Sequence, residues 1–332
     1  MVQFSHERQN KAIGLRMPTP GDFRDLQLDQ WTCDPPKEGE LRVQITSCAL
    51  NFADLLLCKG SYQIKPEGAF SPGLEITGKI DMPDHPRHLQ RVVGLVDYGG
   101  LCSLANFPEE QLVAIPHDVS DFQASCLPVG YGTSEAGLYQ RARLRAGERV
   151  LIHGGTSGVG RTAAELAQAA GHEVILSASS PQRKELLESR GYQHVFLLDE
   201  TFRSEVEGRF GRRPIDVVYD AIGGEAARTN LSLLAFQGRY LVIGFAGGPP
   251  PQFPANLLLV KNIDVIGFYW GGYVHNQPEL YQQTITTLLE KVRGGLIRPF
   301  YEVLDGFEGA LEGLKMLENR SALGKIIINL NK

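Results

Sequence analysis

The chain has 332 residues, of which 42% are hydrophobic and 21% are charged, with a formal net charge of −5 at pH 7. This length exceeds what a single hydrophobic core usually supports, so two domains are expected in an ordinary globular protein. The negative net charge argues against nucleic acid as a partner. The five cysteines are scattered without a CxxC pair, which argues against a disulfide framework and favours a cytoplasmic protein.

The polar start of the chain, residues 1–10, lacks the basic and apolar regions of a secretory signal. The longest apolar runs, such as residues 257–260, are too short to cross a bilayer. We therefore expect neither export nor a membrane partner.

Short strands separated by proline and glycine clusters are predicted in the first third of the chain, at residues 11–16, 40–47 and 91–96. The pattern changes near residue 120, where residues 122–138 have helical spacing. The first third therefore indicates a β-rich unit, and a different architecture follows it.

Strands and helices alternate in the rest of the chain. Strands are predicted at residues 149–153, 173–177, 194–198, 216–219, 239–243 and 263–267. Helical segments lie between the first of them, and such alternation is typical of βαβ units with a parallel sheet. The chain closes with predicted helices at 278–291 and 307–318 and a strand at 325–330.

A glycine-rich turn joins the strand at 149–153 to a helix, with Gly155, Gly158 and Gly160 in a GxxGxG spacing. Such a turn lets the backbone approach a pyrophosphate, and the helix N-terminus supplies N–H donors and partial positive charge. The strand–turn–helix setting predicts a dinucleotide site. A purely structural strand-to-helix turn is the alternative.

The segment after the next strand favours NADPH. NAD sites usually place an acidic residue there to bind the ribose 2′-hydroxyl, but residues 177–184 contain no acid. Ser180 and Arg183 suit a 2′-phosphate instead. Alternatively, Ser180 caps the next helix and Arg183 is merely solvated.

Motifs spread over nearly the whole chain carry a family resemblance. They lie at residues 51–54, 59–62, 72–78, 128–133, 154–160, 216–220, 223–224, 238–244, 268–271, 295–299 and 324–325. In this order they resemble the zeta-crystallin-like quinone oxidoreductases of the medium-chain dehydrogenase/reductase superfamily. The match in order is far more specific than any one of these motifs.

The resemblance implies an α/β protein in which a doubly wound Rossmann domain, residues 128–266, is inserted in a GroES-like β-rich catalytic domain, residues 1–127 and 267–332. It also implies a homodimer that pairs the strands at 263–267, with a tetramer, as in some relatives, as the alternative. The implied cofactor contacts are Asn51, Thr133, Gly158, Val159, Ser180, Arg183, Gly244, Phe268 and Tyr269.

The zinc enzymes of the superfamily hold a catalytic metal with a cysteine and a histidine. At the matching positions this sequence has Asn51 and Leu74, which are poor zinc ligands. His85 and His88 have no accompanying ligand pattern, and a solvated loop accounts for them. We therefore expect an enzyme that holds no metal.

The expected reaction is hydride transfer from NADPH to a quinone or an α,β-unsaturated carbonyl (an enone), because such acceptors are electrophilic without a Lewis acid. Asn51 and Thr133 would orient the nicotinamide or polarise the acceptor oxygen. Bulk water or Tyr62 would supply a proton, although Tyr62 can equally be a packed aromatic. The alternatives are an enoyl thioester reductase for short acyl-CoA substrates and a non-catalytic NADPH-binding protein.

Overall fold

The computed structural model describes residues 10–224 and 226–331, which form two compact units. Unit 1 runs to Val129 and resumes at Gly271, and unit 2 spans Gly130–Trp270. The domain limits after residues 127 and 266 stay a prediction, because compactness alone does not define an independently folding domain. Within the described part of the chain, the helices are all too short or too polar to cross a membrane.

The strands, named β1 to β15 in chain order, are Lys11–Arg16, Gln27–Thr32, Glu40–Ala49, Glu75–Ile80, Arg91–Leu95, Leu104–Pro108, Leu112–Ala114, Arg149–His153, Glu173–Ala178, Val195–Leu197, Ile215–Asp220, Leu234–Val242, Asp264–Gly267, Tyr301–Asp305 and Lys325–Asn329. The α-helices, named α1 to α11, are Phe52–Cys58, Asp121–Ser125, Gly132–Glu135, Gly158–Ala169, Pro181–Ser189, Phe202–Phe210, Ala226–Leu233, Ala255–Lys261, Gly271–Asn276, Pro278–Arg293 and Gly306–Glu318.

Unit 1 contains a mixed seven-stranded sheet in the order β14-β15-β3-β4-β5-β7, with β6 also paired to β3. The last strand, β15, is antiparallel to β3, with Ile327 opposite Ala49. Its apolar run is buried because α11 packs against it, and Leu314 of α11 belongs to the same core cluster as Ile326 and Ile328. The end of the chain therefore returns to the first sheet, and unit 2 is an insertion.

Unit 2 contains a six-stranded parallel sheet in the order β10-β9-β8-β11-β12-β13. The order runs outward in both directions from β8 and β11, which is the doubly wound Rossmann arrangement. The middle of β8, Val150 to Ile152, is fully buried, as expected for a parallel strand that is covered on both faces. The predicted α/β fold class is confirmed.

Two features of the fold differ from the expectation. Strands β2, β4, β6, β7 and β14 were not predicted. Most of β2 is exposed, β7 has only three residues, and the glycine within β4 and the half-exposed edge position of β14 weaken their patterns. The predicted helix at 122–138 contains π-helical turns, at Leu127–Tyr131 and Ala136–Arg141. In the second turn the Ala142 amide donates to the Gly137 carbonyl, five residues back.

Candidate functional site

The turn between β8 and α4 is held by its own backbone. Gly154 has a φ of +76°, and its carbonyl accepts a hydrogen bond of 2.7 Å from the Ser157 amide. Ser157 is the N-cap of α4, and its hydroxyl accepts from the Gly160 amide at 3.2 Å. The amides of Gly158 and Val159 donate to no residue that the structure describes. Two N–H groups thus remain available at the positive end of the helix dipole.

The glycines of this turn have different structural roles. A Cβ atom at Gly160 would lie 2.1 Å from the Gly154 carbonyl oxygen, so glycine is required for α4 to pack against the end of β8. A Cβ atom at Gly155 would lie 3.3 Å from Leu176. At Gly158 it would meet no atom within 4 Å. Packing within the fold therefore does not require glycine at 158. A phosphate that lies close to the backbone does require a residue without a side chain there, so the turn fits a diphosphate.

The end of β9 leads into α5 through Ser180. Its side chain caps α5 by accepting from the Arg183 amide at 3.3 Å, as the structural interpretation predicts. The hydroxyl still has its own hydrogen to donate. Arg183 lies exposed in the first turn of α5, and its guanidinium forms no salt bridge with the described residues. Capping therefore leaves both side chains able to bind a phosphate.

Parallel strands place the residues that follow them at the same edge of a sheet. Gly155 to Gly160 follow β8, Ser180 follows β9, Gly244 follows β12 and Phe268 follows β13. Unit 2 therefore brings most of the predicted cofactor residues to the carboxyl edge of its sheet, which is where ligands bind in such folds.

Thr133 lies in the short helix α3 and is only 9% exposed. The next residue, Ser134, anchors this helix by hydrogen bonds to Thr162 Oγ1 at 2.8 Å and to Tyr219 Oη at 3.1 Å. The Thr133 hydroxyl itself has no hydrogen-bond partner among the described residues.

Aromatic side chains lie beside the same short helix. The indole of Trp270 lies against Gly132, where a Cβ atom would be 2.6 Å from its Nε1, and stacks on Phe268 with ring centroids 6.2 Å apart. Tyr269, between them, is 42% exposed. This stretch of chain is therefore fixed by packing, with Tyr269 facing outward.

Unit 1 contains a polar cluster around Asn51, which stands at the N-terminus of α1. The Lys325 ammonium lies 2.5 Å from the Glu75 carboxylate and donates to Asn51 Oδ1, also at 2.5 Å. The Asn51 amide nitrogen donates to Glu75 Oε2 at 3.0 Å and to the Ala49 carbonyl at 3.2 Å. Glu75 is fully buried and Lys325 nearly so. A buried ion pair thus determines the orientation of the Asn51 amide.

Asp54 is buried below this cluster. Its two oxygens accept from the backbone amides of Asn51, at 2.7 Å, and of Gly73, at 3.0 Å. Burial raises the pKa of its carboxyl to about 7, although these hydrogen bonds and the charge of Lys325 act in the opposite direction. The carboxyl therefore changes its charge near neutral pH.

This pKa predicts a stability that depends on pH. Between about pH 4 and pH 7, Asp54 is protonated in the folded chain and ionised in the unfolded chain. Its contribution to the free energy of unfolding is therefore full below about pH 4 and is lost as the pH rises through about 7. The Asp54→Asn variant does not lose this contribution. The difference in free energy of unfolding between variant and wild type should therefore increase by about 2 kcal/mol, in favour of the variant, when the pH is raised from roughly 5 to roughly 8. Urea titrations at both pH values measure this. Asp84→Asn, at an exposed turn, is the control. If Asp54→Asn and the wild type differ in stability by the same amount at both pH values, the raised pKa of Asp54 is contradicted.

Tyr62 is half-buried and packs against the main hydrophobic cluster of unit 1. This agrees with the interpretation of Tyr62 as a packed aromatic, and its role as a proton donor stays a prediction.

The positions that hold zinc in related enzymes do not fit a metal here. Leu74 is a buried alkyl side chain, and the Asn51 carbonyl oxygen is occupied by Lys325. No cluster of three or more His, Cys, Asp or Glu side chains that could hold a metal occurs in residues 10–224 and 226–331. The expected absence of a metal stays a prediction.

Sequence reasoning did not identify Glu75 and Lys325 as site residues and used them only as parts of family motifs. The sequence did contain one sign that Lys325 has a role, since it is a charged residue at the start of a strand whose next three residues are isoleucines. A lysine at a strand end is usually solvated, and only the pairing of β15 with β3 shows that this one is buried.

Comparison with known proteins gives matches over the whole chain. Residues 158–290 match the model of a family described as zinc-binding dehydrogenase. The chain is 32% identical to quinone oxidoreductase-like protein 2 of Rattus norvegicus, in an alignment that covers 99% of this chain and 93% of the rat protein.

Solved structures match to a similar extent. The quinone oxidoreductase of Thermus thermophilus, whose complex with NADPH is also known, has a TM-score of 0.81 and 28% identity, over 96% of this chain and 100% of that chain. The CurK enoyl reductase has a TM-score of 0.82 and 25% identity, over 96% of this chain and 99% of that chain.

Proposed function

Because the chain belongs to the medium-chain dehydrogenase/reductase superfamily, in its quinone oxidoreductase branch, we propose that it reduces quinones or α,β-unsaturated carbonyls with NADPH. The observation that carries the proposal is the turn before α4, where the amides of Gly158 and Val159 are available beside a backbone with an open approach. These groups would bind the diphosphate.

The preference for NADPH rests on the end of β9. Ser180 can donate its hydroxyl hydrogen while it caps α5, and the Arg183 guanidinium is exposed one helical turn away. Together they would bind the 2′-phosphate, and no acidic residue between 177 and 184 repels it. The Thermus thermophilus relative, which has a known NADPH complex, supports this assignment.

When bound, the cofactor supplies a hydride from C4 of its nicotinamide ring. The protein positions the reactants and surrounds them with oriented polar groups. The Thr133 hydroxyl would hydrogen-bond the nicotinamide carboxamide. Gly155, Gly160 and Gly244 would let the backbone approach the cofactor, and Phe268 and Tyr269 would contact it. A proton would come from water or from Tyr62.

A second candidate is the reduction of enoyl thioesters. It is favoured by the similarity to the CurK enoyl reductase, to which the chain is 25% identical. Enones and enoyl thioesters share a polarised carbon–carbon double bond, so one site can serve both reactions.

The test is NADPH oxidation by the purified chain with a panel of quinones, enones and enoyl-CoA thioesters. Turnover with quinones or enones that exceeds turnover with thioesters supports the proposal, and the reverse order favours the second candidate. NADPH binding without the consumption of any acceptor would identify a non-catalytic NADPH-binding protein.

The homodimer and the cytoplasmic location stay predictions. The strand implied in dimerisation, β13, is an edge strand of the unit 2 sheet, so its outer edge is not paired within the described chain.

A further inference from the structure

Asp220 is the last residue of β11, which lies beside β8 in the middle of the unit 2 sheet, and it is only 3% exposed. One carboxylate oxygen accepts from the backbone amides of Ile222, at 2.8 Å, and of Gly223, at 3.0 Å. The other oxygen accepts from the Tyr240 hydroxyl. A carboxylate is rarely buried unless hydrogen bonds replace its hydration. These bonds in turn fix the first residues of the loop that follows β11.

The loop that follows β12 is bonded to the same residues. The Asp220 carbonyl accepts from the amides of Ile243, at 2.8 Å, and of Gly244, at 3.3 Å. The Gly247 amide donates to the Ile222 carbonyl at 2.8 Å. The two loops are thus joined to each other, and the Asp220 carboxylate holds the first of them.

The Ile222 side chain connects these loops to the glycine turn before α4. A Cβ atom at Gly154 would lie 2.8 Å from Ile222 Cδ1, and a Cβ atom at Gly247 would lie 2.3 Å from Ile222 Cγ2. Ile222 therefore packs between the turn before α4 and the loop after β12. Because its amide donates to Asp220, a change at Asp220 would be transmitted to both.

We propose that Asp220 is a positioning residue for the cofactor, which holds the loops after β11 and β12 in the conformation that binds the nicotinamide half of NADPH. This inference rests on the proposed function. A doubly wound sheet has two mononucleotide-binding halves, and β11 to β13 form the second of them, with Gly244 in the loop after β12. Ser180 and Arg183 follow β9 in the first half and would bind the adenosine half. Loops that are ordered before the ligand arrives lose less conformational entropy on binding.

The experiment compares the binding of NADPH with that of adenosine 2′,5′-bisphosphate, which lacks the nicotinamide half. In Asp220→Asn the two amides keep an oxygen acceptor that has no charge, and charge-assisted hydrogen bonds are about twice as strong as neutral ones. We expect the Kd for NADPH to rise by about tenfold and the Kd for the bisphosphate to stay within about twofold of the wild type. A residue with a merely structural role would affect both ligands alike.

Tyr240→Phe removes the hydrogen bond to the other carboxylate oxygen and keeps the buried ring. It should raise the Kd for NADPH by about threefold and leave the bisphosphate unaffected, and it tests the inference even if Asp220→Asn does not fold. Asp216→Asn is the matched control, since Asp216 lies near the other end of β11 and also accepts from a backbone amide, that of Arg149, at 2.8 Å. This variant should bind both ligands like the wild type.

A second readout uses no ligand. Hydrogen exchange of the Ile222 and Gly223 amides should become about tenfold faster in Asp220→Asn and stay unchanged in Asp216→Asn, because only the first change weakens their hydrogen bonds. Unchanged exchange in Asp220→Asn would contradict the inference.

The inference is also overturned if the folded variants at 220 and 240 bind NADPH like the wild type, or if they weaken both ligands by the same factor. Either result, beside a wild type that binds NADPH, rejects this inference alone. A wild type that binds neither ligand rejects the proposed function as well.

Discussion

Replacing Gly160 by alanine is expected to lower the free energy of unfolding by about 2 to 4 kcal/mol. The new Cβ atom would lie 2.1 Å from the Gly154 oxygen and 2.6 Å from its carbonyl carbon, so the backbone has to move. Helix α4 would have to shift away from the end of β8, and its first-turn amides would lose their positions. NADPH binding should therefore weaken together with stability.

Gly158→Ala is the matched control, two residues away in the same helix. Its Cβ atom meets nothing within 4 Å, and alanine is a better helix former than glycine by about 1 kcal/mol. The variant should be at least as stable as the wild type. If the diphosphate binds at this backbone, the added methyl group should still raise the Kd for NADPH by about tenfold or more.

Thermal unfolding and fluorescence titration with NADPH, carried out on both variants, separate the structural glycine from the binding glycine. A Gly158→Ala protein that binds NADPH like the wild type would place the diphosphate elsewhere. An unchanged melting temperature of Gly160→Ala would contradict the close contact between α4 and the turn.

Arg183→Ala should raise the Kd for NADPH by about 10- to 100-fold and change the Kd for NADH by less than about twofold. The guanidinium is exposed in the first turn of α5, and the proposed 2′-phosphate is the only group by which the two cofactors differ. The protein itself should prefer NADPH, since no acid follows β9 to bind the 2′-hydroxyl of NADH.

Arg209→Ala, at an exposed arginine of α6, keeps the same change in net charge and serves as the control. Ser180→Ala is less informative, because removal of the N-cap alone destabilises α5 by about 1 kcal/mol. Equal affinity of the wild type for NADPH and NADH would remove the basis for the cofactor assignment, as would an Arg183→Ala protein that binds NADPH unchanged.

Much of the fold could be predicted because its signals are local. The alternation of strands and helices after residue 149 follows from apolar spacing and glycine punctuation within short windows. Strand β14 was missed because its half-exposed residues give a weak pattern, and it forms as a parallel partner of β15 at the edge of the sheet. Because the intrinsic strand propensity of such a segment is weak, the neighbouring strands decide whether it forms a strand.

For the candidate site, the sequence by itself determined the glycine turn before α4 and the segment after β9 that lacks an acid, since each depends on adjacent residues. Only the tertiary structure distinguished Gly160, which the packing of α4 requires, from Gly158, which it does not. Only the tertiary structure brought Lys325 to Asn51, 274 positions away. Such a contact results from the pairing of β15 with β3, and no local pattern encodes the register of two distant strands.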